Sequence, residues 1–350
     1  MEGARGLAIA LVFCVHYHAL LSGYLPAGSW SAKITQSAWA IGHSGVDLFF
    51  VISGILIYGA LLARKPNYGQ FLRRRVVRIY PTFLAVFGLY LFLSAVFPER
   101  SKIVGPWTST LVYLGENLLL LPGVFSIPPL ISVTWSLSYE FFFYLTLPLL
   151  VNFTGMRGWR RWQRVSILAA LLGLILGGVL PLPIRMGMFL VGMLVYEAMQ
   201  NGWPARLPAM TDWAVGALLV AAFLAMGSFL QEQDWRRMLA MIVGFGLFAL
   251  SCFGARGWLY RWFSWTPLRW VGNMSYSYYL IHGLALQGVA LLLGHWHPHD
   301  GRSGWIFWAF LPLSVLATLA ASSLLYGLVE KPFSVERRKR KKAILPGETA

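Results

Sequence analysis

Three ionisable side chains lie inside long apolar stretches of this sequence: His16, Asp47 and Glu140. Because burying an ionisable group inside a membrane is costly, each is functional by default. At about 1.5 Å per residue, the three fall in one predicted layer, roughly 5 to 9 Å below the outer surface. An imidazole and two carboxylates at one depth suit general-base chemistry, with a carboxylate orienting the ring. The alternative is that Asp47 or Glu140 only ties helices together by hydrogen bonds.

Two arginine spacings indicate function. Arg75 and Arg78 share a helix face at i and i+3, with Arg74 nearby, and planar guanidinium groups are good bidentate ligands for phosphate. Arg5 precedes His16 by eleven residues, which on a helix is within roughly 20° of the same face and about 16 Å along the axis. A basic anchor for lipid headgroups is the alternative interpretation of the arginine group.

Further polar side chains are candidates for substrate contacts. Ser136, Glu140 and Tyr144 recur every four residues and give one helix a polar stripe that is typical of a cavity wall. His282 lies in another apolar stretch, where it is either a packed histidine or a cavity group. The pattern leaves the donors for an oxyanion unassigned; the candidates are Tyr139, Tyr144, Ser53 and Trp135.

Metal and disulfide chemistry are not expected. His295, His297 and His299 alternate beside Asp300, but without further ligands an exposed linker is the simpler interpretation. The two cysteines, at positions 14 and 252, both lie in apolar stretches, where a disulfide has no structural role. The sequence therefore predicts neither a metal site nor a redox framework.

The elements that position these side chains are predicted membrane spans. Of the 350 residues, 57% are hydrophobic and 12% are charged, and the mean hydropathy is +0.62. Apolar runs of about 20 residues, enough to cross a core roughly 30 Å thick, recur along the chain and exclude a soluble protein. We therefore predict an all-α polytopic integral membrane protein with about ten transmembrane helices, at 6–22, 44–62, 79–97, 135–153, 165–180, 184–199, 212–229, 238–253, 274–294 and 305–328.

The formal charge of +16 indicates orientation. In a soluble protein it would suggest nucleic acid, whereas in a membrane protein basic residues concentrate in cytoplasmic segments. With ten spans and both termini cytoplasmic, 22 of the 29 Lys and Arg residues lie inside. Counting residues 111–121 as a span reverses this bias, so residues 98–134 are predicted to be an outer segment with one re-entrant or interfacial helix. The chain is expected to divide into a membrane domain, 1–333, and a basic, disordered cytoplasmic tail, 334–350.

Six motifs follow one another along nearly the whole chain: Arg5-Gly-Leu-Ala8 with His16, Ser44-Gly-Val-Asp-Leu-Phe-Phe-Val-Ile-Ser-Gly54, Arg75-Val-Val-Arg78-Ile-Tyr-Pro81, Trp135-Ser-Leu-Ser-Tyr-Glu140 through Tyr144 to Pro148, Gly272-Asn-Met-Ser-Tyr-Ser-Tyr-Tyr-Leu-Ile-His282, and Val329-Glu-Lys-Pro-Phe333. In this order they resemble the membrane-bound acyltransferase family 3. The resemblance implies a bacterial enzyme of the inner membrane that moves an acyl group, commonly acetyl, from cytosolic acyl-CoA to a carbohydrate hydroxyl at the outer face. It also implies the stand-alone form, without the extra periplasmic domain of some relatives.

Carried over residue by residue, the resemblance makes His16 the essential histidine and Arg75 and Arg78 the paired arginines linked to the donor. Arg5 and Glu140 become further functional positions. No cofactor is implied to remain bound, because acetyl-CoA or another acyl-CoA is a donor substrate. The implied partners are acyl-CoA, the lipid bilayer and a carbohydrate acceptor, which could be a polysaccharide, an O-antigen or a glycosylated small molecule. Nucleic acid is not among them.

The residues and the resemblance are consistent with one mechanism. Arg75 and Arg78, with Arg5, would hold the CoA phosphates at the inner mouth, and the pantetheine arm would reach the roughly 16 Å to His16. His16, oriented by Glu140 or Asp47, would then take the proton of the acceptor hydroxyl. An acyl-histidine intermediate is the alternative chemistry. The alternative function is a transporter or flippase for a lipid-linked sugar, which also uses buried ionisable groups and a basic mouth.

Overall fold

The computed structural model describes residues 1–206, 211–228, 235–253, 257–297 and 301–336. Within these ranges every named element is helical, which confirms the all-α class. An eleven-residue π-helix, Tyr326–Glu336, ends the described chain. The α-helices are α1 (Glu2–Leu21), α2 (Trp30–Gly42), α3 (Ser44–Ala63), α4 (Tyr68–Val96), α5 (Trp107–Leu118), α6 (Thr134–Phe153), α7 (Arg161–Leu176), α8 (Gly187–Gln200), α9 (Trp203–Arg206), α10 (Thr211–Ser228), α11 (Trp235–Phe253), α12 (Gly257–Phe263), α13 (Thr266–Asn273), α14 (Ser275–Trp296) and α15 (Gly304–Leu325).

Six helical stretches in the described part of the chain are long and apolar enough to cross a membrane: Glu2–Tyr24, Trp30–Ala63, Tyr68–Val96, Arg236–Phe253, Ser275–His295 and Gly304–Phe333. The other predicted spans are helical too, as α6, α7, α8 and α10. However, α7 and α8 have 16 and 14 residues, so they reach only about 21 to 24 Å across a core of roughly 30 Å. The prediction of ten spans is therefore not confirmed, and neither is the cytoplasmic placement of the termini.

The largest difference from the predicted boundaries is at α4, which begins at Tyr68 and not at residue 79. The Asn67 side chain caps the helix by accepting from the Gly69 amide at 3.0 Å. Arginine lowers the hydropathy of a segment but is a good helix former, so hydropathy places the span too late. As a result Arg75 and Arg78 are the eighth and eleventh residues of a 29-residue helix, on which their spacing gives them a common face.

The first of two compact units consists of Met1–Lys65, Leu150–Ser275 and Leu286–Val315. Its α1 packs against α2, α3 and α13, and α3 packs against α8. At the contact of α3 and α8, a Cβ placed on Gly192 would lie 2.9 Å from the Gly54 Cα. Because real Cβ atoms do not approach so closely, small residues are required here, as in other membrane helix pairs.

The second unit consists of Pro66–Leu149, Tyr276–Ala285 and Leu316–Ala350. Here α4 packs against the π-helix. The segment between α4 and α6 contains the short predicted helix as α5, whose 12 residues span about 18 Å. Polar contacts fold this segment on itself, since Asn117 Oδ1 accepts from the Leu130 amide at 2.7 Å and Lys102 Nζ donates to the Pro129 carbonyl at 3.1 Å.

Two predictions fall outside the described residues. The first is the basic tail, of which residues 337–350 are not described. The second is the histidine-rich loop, of which His299 and Asp300 are not described.

Candidate active site

Arg75 on α4 and Glu140 on α6 are joined through Tyr144 in the second unit. The Arg75 guanidinium carbon lies 5.1 Å from the centroid of the Tyr144 ring and 5.1 Å from that of Phe71. The Tyr144 hydroxyl donates to Glu140 Oε1. Because the Tyr144 side chain is buried, at 5% exposure, these contacts act in a low-dielectric environment where charges interact strongly.

Side-chain contacts between α4 and α6 accompany this arrangement. The Tyr68 hydroxyl donates to the Leu145 carbonyl at 3.4 Å, and the rings of Tyr80 and Phe141 are 6.1 Å apart. The sequence assigned Glu140 to a layer with His16 and the arginines to the opposite mouth. The structure joins Glu140 to the arginine group, because Tyr144 lies one helical turn from Glu140 and bridges to the Arg75 side chain.

Arg78 belongs to the same group. It interacts electrostatically with Tyr144 and with Tyr276, a residue in the first turn of α14. Tyr276 also interacts electrostatically with two carboxylates, Glu140 and Glu330. We call this group the arginine–carboxylate cluster; its members are Arg75, Arg78, Glu140, Tyr144, Tyr276 and Glu330.

The arginine–carboxylate cluster contains two cations and two carboxylates, with tyrosines between them. Arginines held in this way are pre-oriented, so an incoming phosphate or pyrophosphate meets guanidinium groups that have lost little freedom on binding. Arg74 differs from Arg75 and Arg78, which are half-buried, because its side chain is exposed. The structure therefore brings together Arg75 and Arg78 with Glu140 and Tyr144, and it leaves Arg74 at the surface.

The remaining candidates on α6 make aromatic and polar contacts. Ser136 Oγ lies 2.6 Å from the Tyr279 hydroxyl, which links the polar stripe of α6 to α14. Trp135 is half-buried, and its ring packs edge-on against Tyr139 with 5.6 Å between centroids. The stripe predicted from the four-residue spacing thus contacts neighbouring helices at both ends.

His282 on α14 is completely enclosed. Its Nδ1 lies 3.0 Å from the carbonyl oxygens of Tyr278 and Tyr279, to which it can donate, and its ring stacks on the Tyr278 ring with 5.4 Å between centroids. The side chain has 0% exposure. These are the contacts of a histidine packed within its own helix and the adjacent rings.

His16 and Arg5 lie on α1 in the first unit, and both are half-buried. The backbone of α1 is held on either side of His16. Towards its start, a Cβ on Gly6 would lie 3.1 Å from Leu268 Cγ of α13, and next to His16 the buried Tyr17 hydroxyl donates to the Phe307 carbonyl. The helix that carries His16 therefore has little freedom to shift.

Asp47 is also in the first unit, near the start of α3, and it is buried at 4% exposure. Arg185 Nη1 lies 3.8 Å from Asp47 Oδ1 and donates to the His43 carbonyl at 3.2 Å. Ser53, further along α3, is buried at 7% exposure beside Gly54, where α8 approaches.

Three residues with polar contacts in these sites were not among the candidates predicted from the sequence. Arg185 is the second residue of the predicted span 184–199, where a charge is a signal in itself. Tyr276 and Glu330 lie within two of the quoted motifs but received no role. Their contacts join segments far apart in the chain, so residue spacing could not reveal them.

Comparison with known proteins places these residues in a family. The family model for an acyltransferase domain matches residues 1–327. This chain belongs to that family, the membrane-bound acyltransferases of family 3. The chain is therefore an acyltransferase.

The sequence similarity to known relatives covers most of the chain. Nodulation protein 10 of Rhizobium leguminosarum bv. viciae is 25% identical over 87% of this chain and 84% of its own length. The exopolysaccharide production protein ExoZ of Rhizobium meliloti is 24% identical over 89% of this chain and 95% of its own length. The peptidoglycan O-acetyltransferase OatA of Listeria monocytogenes is 24% identical over 95% of this chain, which spans only 55% of that protein. No solved structure matches this family 3 acyltransferase.

Proposed function

We propose that this acyltransferase moves an acyl group, acetyl in the simplest case, from cytosolic acyl-CoA to a hydroxyl of a cell-surface or secreted carbohydrate. The names of its relatives support this acceptor class, because they include a peptidoglycan O-acetyltransferase and an exopolysaccharide production protein. The excess of basic residues in the segments predicted to be cytoplasmic supports a location in the bacterial inner membrane, with the donor side inward.

The donor assignment rests on one observation, the contact of Arg75 with Tyr144 and, through its hydroxyl, with Glu140. In this proposal Arg75 and Arg78 bind the phosphates of CoA, with Arg74 and Arg5 as further basic contacts. An arginine that anchors lipid headgroups gains nothing from burial against a tyrosine, because headgroups lie at the surface. A half-buried pair beside aromatic rings fits a defined phosphate ligand better.

In the proposed chemistry, His16 takes the proton of the acceptor hydroxyl as the acceptor oxygen attacks the thioester carbonyl carbon. The carbon–sulfur bond breaks, the CoA thiolate leaves, and the imidazolium returns the proton to sulfur. Asp47 or Glu140 would stabilise the imidazolium, and the oxyanion donors would come from Tyr139, Tyr144, Ser53 and Trp135. The route through an acyl-histidine has the same overall balance.

The test uses the purified full chain in bilayer discs, supplied with acetyl-CoA. Oligosaccharide fragments of peptidoglycan and of exopolysaccharide serve as acceptors, and free CoA thiol and the ester product are measured together. Release of CoA that depends on an acceptor, with an alkali-labile ester on the carbohydrate, is the expected result. Absence of CoA release with every acceptor, together with absence of CoA binding, would contradict the proposal.

A further inference from the structure

The first turn of α14 is capped from a distant part of the chain. The backbone amide of Ser277 donates to Glu330 Oε2 at 3.0 Å, and the Ser277 hydroxyl donates to the same oxygen. The residue at the N-cap position, Met274, offers no side-chain acceptor. Glu330 therefore supplies the negative charge and the acceptor that a helix N-terminus favours.

Glu330 and Ser277 are both enclosed, at 6% and 0% exposure. Glu330 belongs to the π-helix, which packs against α4. π-Helical segments are rare and are frequently found at functional sites. The carboxylate thus lies in a dry contact that involves α14 and the π-helix, where loss of one acceptor leaves two donors unsatisfied.

The capped turn also presents Tyr276 to α4. The Tyr276 hydroxyl donates to the Ile79 carbonyl at 2.9 Å, immediately after Arg78 in the chain. Arg78 and Glu330 are both electrostatic partners of Tyr276. A chain of contacts therefore runs from Glu330 through Ser277 and the first turn of α14 to Tyr276, and from there to the backbone beside Arg78.

We propose that Glu330 is a positioning residue for the donor arginines: by capping α14 it holds Tyr276 against α4 and so fixes the backbone that carries Arg78. The proposal rests on the assignment of Arg75 and Arg78 to the CoA phosphates. Glu330 touches neither the donor nor the acceptor in this scheme. Its effect appears in the affinity for CoA. A bidentate phosphate contact requires the guanidinium group at one position, and that position depends on the backbone from which the Arg78 side chain extends.

The experiment measures equilibrium binding of CoA to the purified full chain in bilayer discs, together with the KM for acetyl-CoA, kcat and the thermal midpoint. Glu330→Gln keeps the shape of the side chain but removes its charge, and Tyr276→Phe removes only the hydroxyl that reaches Ile79. Glu330→Asp tests rescue by a shorter carboxylate. Glu99→Gln, at an exposed carboxylate of the same unit, is the matched control.

We expect Glu330→Gln and Tyr276→Phe each to weaken CoA binding and raise the KM for acetyl-CoA about tenfold, equivalent to about 1.4 kcal/mol, with kcat within twofold of the unsubstituted chain. The double variant should be no weaker than the weaker single variant, since both changes interrupt one chain of contacts. Glu330→Asp should recover part of the loss, and Glu99→Gln should bind CoA normally.

A lower thermal midpoint with unchanged CoA affinity in Glu330→Gln would reduce Glu330 to a structural cap and overturn the inference. Should Glu330→Gln fail to fold, Tyr276→Phe alone tests the inference. Normal CoA affinity in Tyr276→Phe would then overturn it. If the unsubstituted chain bound no CoA, the proposed donor site itself would fall. If the unsubstituted chain bound CoA and every variant bound it equally well, only the positioning role of Glu330 would be overturned.

Discussion

The guanidinium group of Arg75 lies over the ring of Tyr144, with 5.1 Å between the guanidinium carbon and the ring centroid. The same tyrosine donates its hydroxyl to Glu140. Tyr144 thereby contacts both Arg75, which is proposed to bind acyl-CoA, and Glu140, which the sequence predicts to orient the base His16. Because Tyr144 has a contact for each, the two contributions can be separated by substitution.

Arg75→Lys should weaken donor binding while preserving the charge. Lysine has neither the planar fork for bidentate phosphate contacts nor the same stacking on Phe71 and Tyr144. We expect the KM for acetyl-CoA to rise about tenfold, equivalent to about 1.4 kcal/mol, as measured by initial rates at saturating acceptor. Arg73→Lys, at an exposed position two residues earlier, is the control. An equal effect of both substitutions would point to a general basic surface.

Tyr144→Phe removes the hydroxyl and retains the ring. The Arg75 contact should survive, so CoA affinity should change less than twofold, whereas Glu140 loses a buried donor worth about 1.5 to 3 kcal/mol to a charged acceptor. We expect kcat for acyl transfer to fall at least tenfold. Tyr144→Leu, which removes both contacts, should also weaken CoA binding. Identical CoA affinities in the two variants would show that the ring does not support Arg75.

His16→Ala should abolish acyl transfer without removing the protein from the membrane, because the substitution deletes the proposed base and leaves the packing of α1 on α13 intact. Product formation is measured by the alkali-labile ester on the carbohydrate, and membrane content by immunoblot. His18→Ala is the control on the same helix, since its half-buried side chain contacts Gln36 and the ring of Trp39, with 6.2 Å between ring centroids, and has no part in the proposed chemistry. Normal product from His16→Ala would reject the mechanism.

A buried ion pair outside the site makes a prediction about stability. Glu197 of α8 is 1% exposed and accepts from Arg164 Nε at 2.6 Å and from the Tyr58 hydroxyl at 2.8 Å. Glu197→Leu leaves the Arg164 charge without this carboxylate and should cost about 3 to 5 kcal/mol of folding free energy. Thermal unfolding in detergent measures the loss.

The double variant Glu197→Leu with Arg164→Met should be more stable than Glu197→Leu alone, because it removes both charges together. A double variant as unstable as the two single losses combined would show that the pair does not act as a unit.

The contact of α3 with α8 predicts different outcomes for two glycines. Gly192→Ala places a Cβ 2.9 Å from the Gly54 Cα and from the Ile55 amide nitrogen, so the helices must separate at a cost of about 1 to 3 kcal/mol. Gly173→Ala on α7 meets nothing within 4 Å and should gain about 0.5 to 1 kcal/mol from helix propensity. The thermal midpoint should therefore fall for the first substitution and rise for the second. A rise for both would mean that the close approach is not required.

The sequence by itself determined the features that follow from local periodicity, namely the helical class and the helix face on which a residue lies. Apolar runs gave the helical class, and helical spacing placed Arg75 with Arg78 on one face and Glu140 one turn from Tyr144, as the Tyr144 hydrogen bond bears out. Hydropathy could not find the start of α4, because arginines lower hydropathy while they favour helix. It also predicted spans over α7 and α8, and at 16 and 14 residues these helices leave that prediction unconfirmed.

Only the tertiary structure decided which helices meet. The contacts of Arg75 with Tyr144, of Tyr276 with Ile79, and of Ser277 with Glu330 join residues separated by 53 or more positions. Such contacts depend on how side chains pack between neighbouring helices, and no repeat in the sequence encodes that pairing. Packing therefore assembled the arginine–carboxylate cluster from α4, α6, α14 and the π-helix, whereas spacing alone supplied only its separate parts.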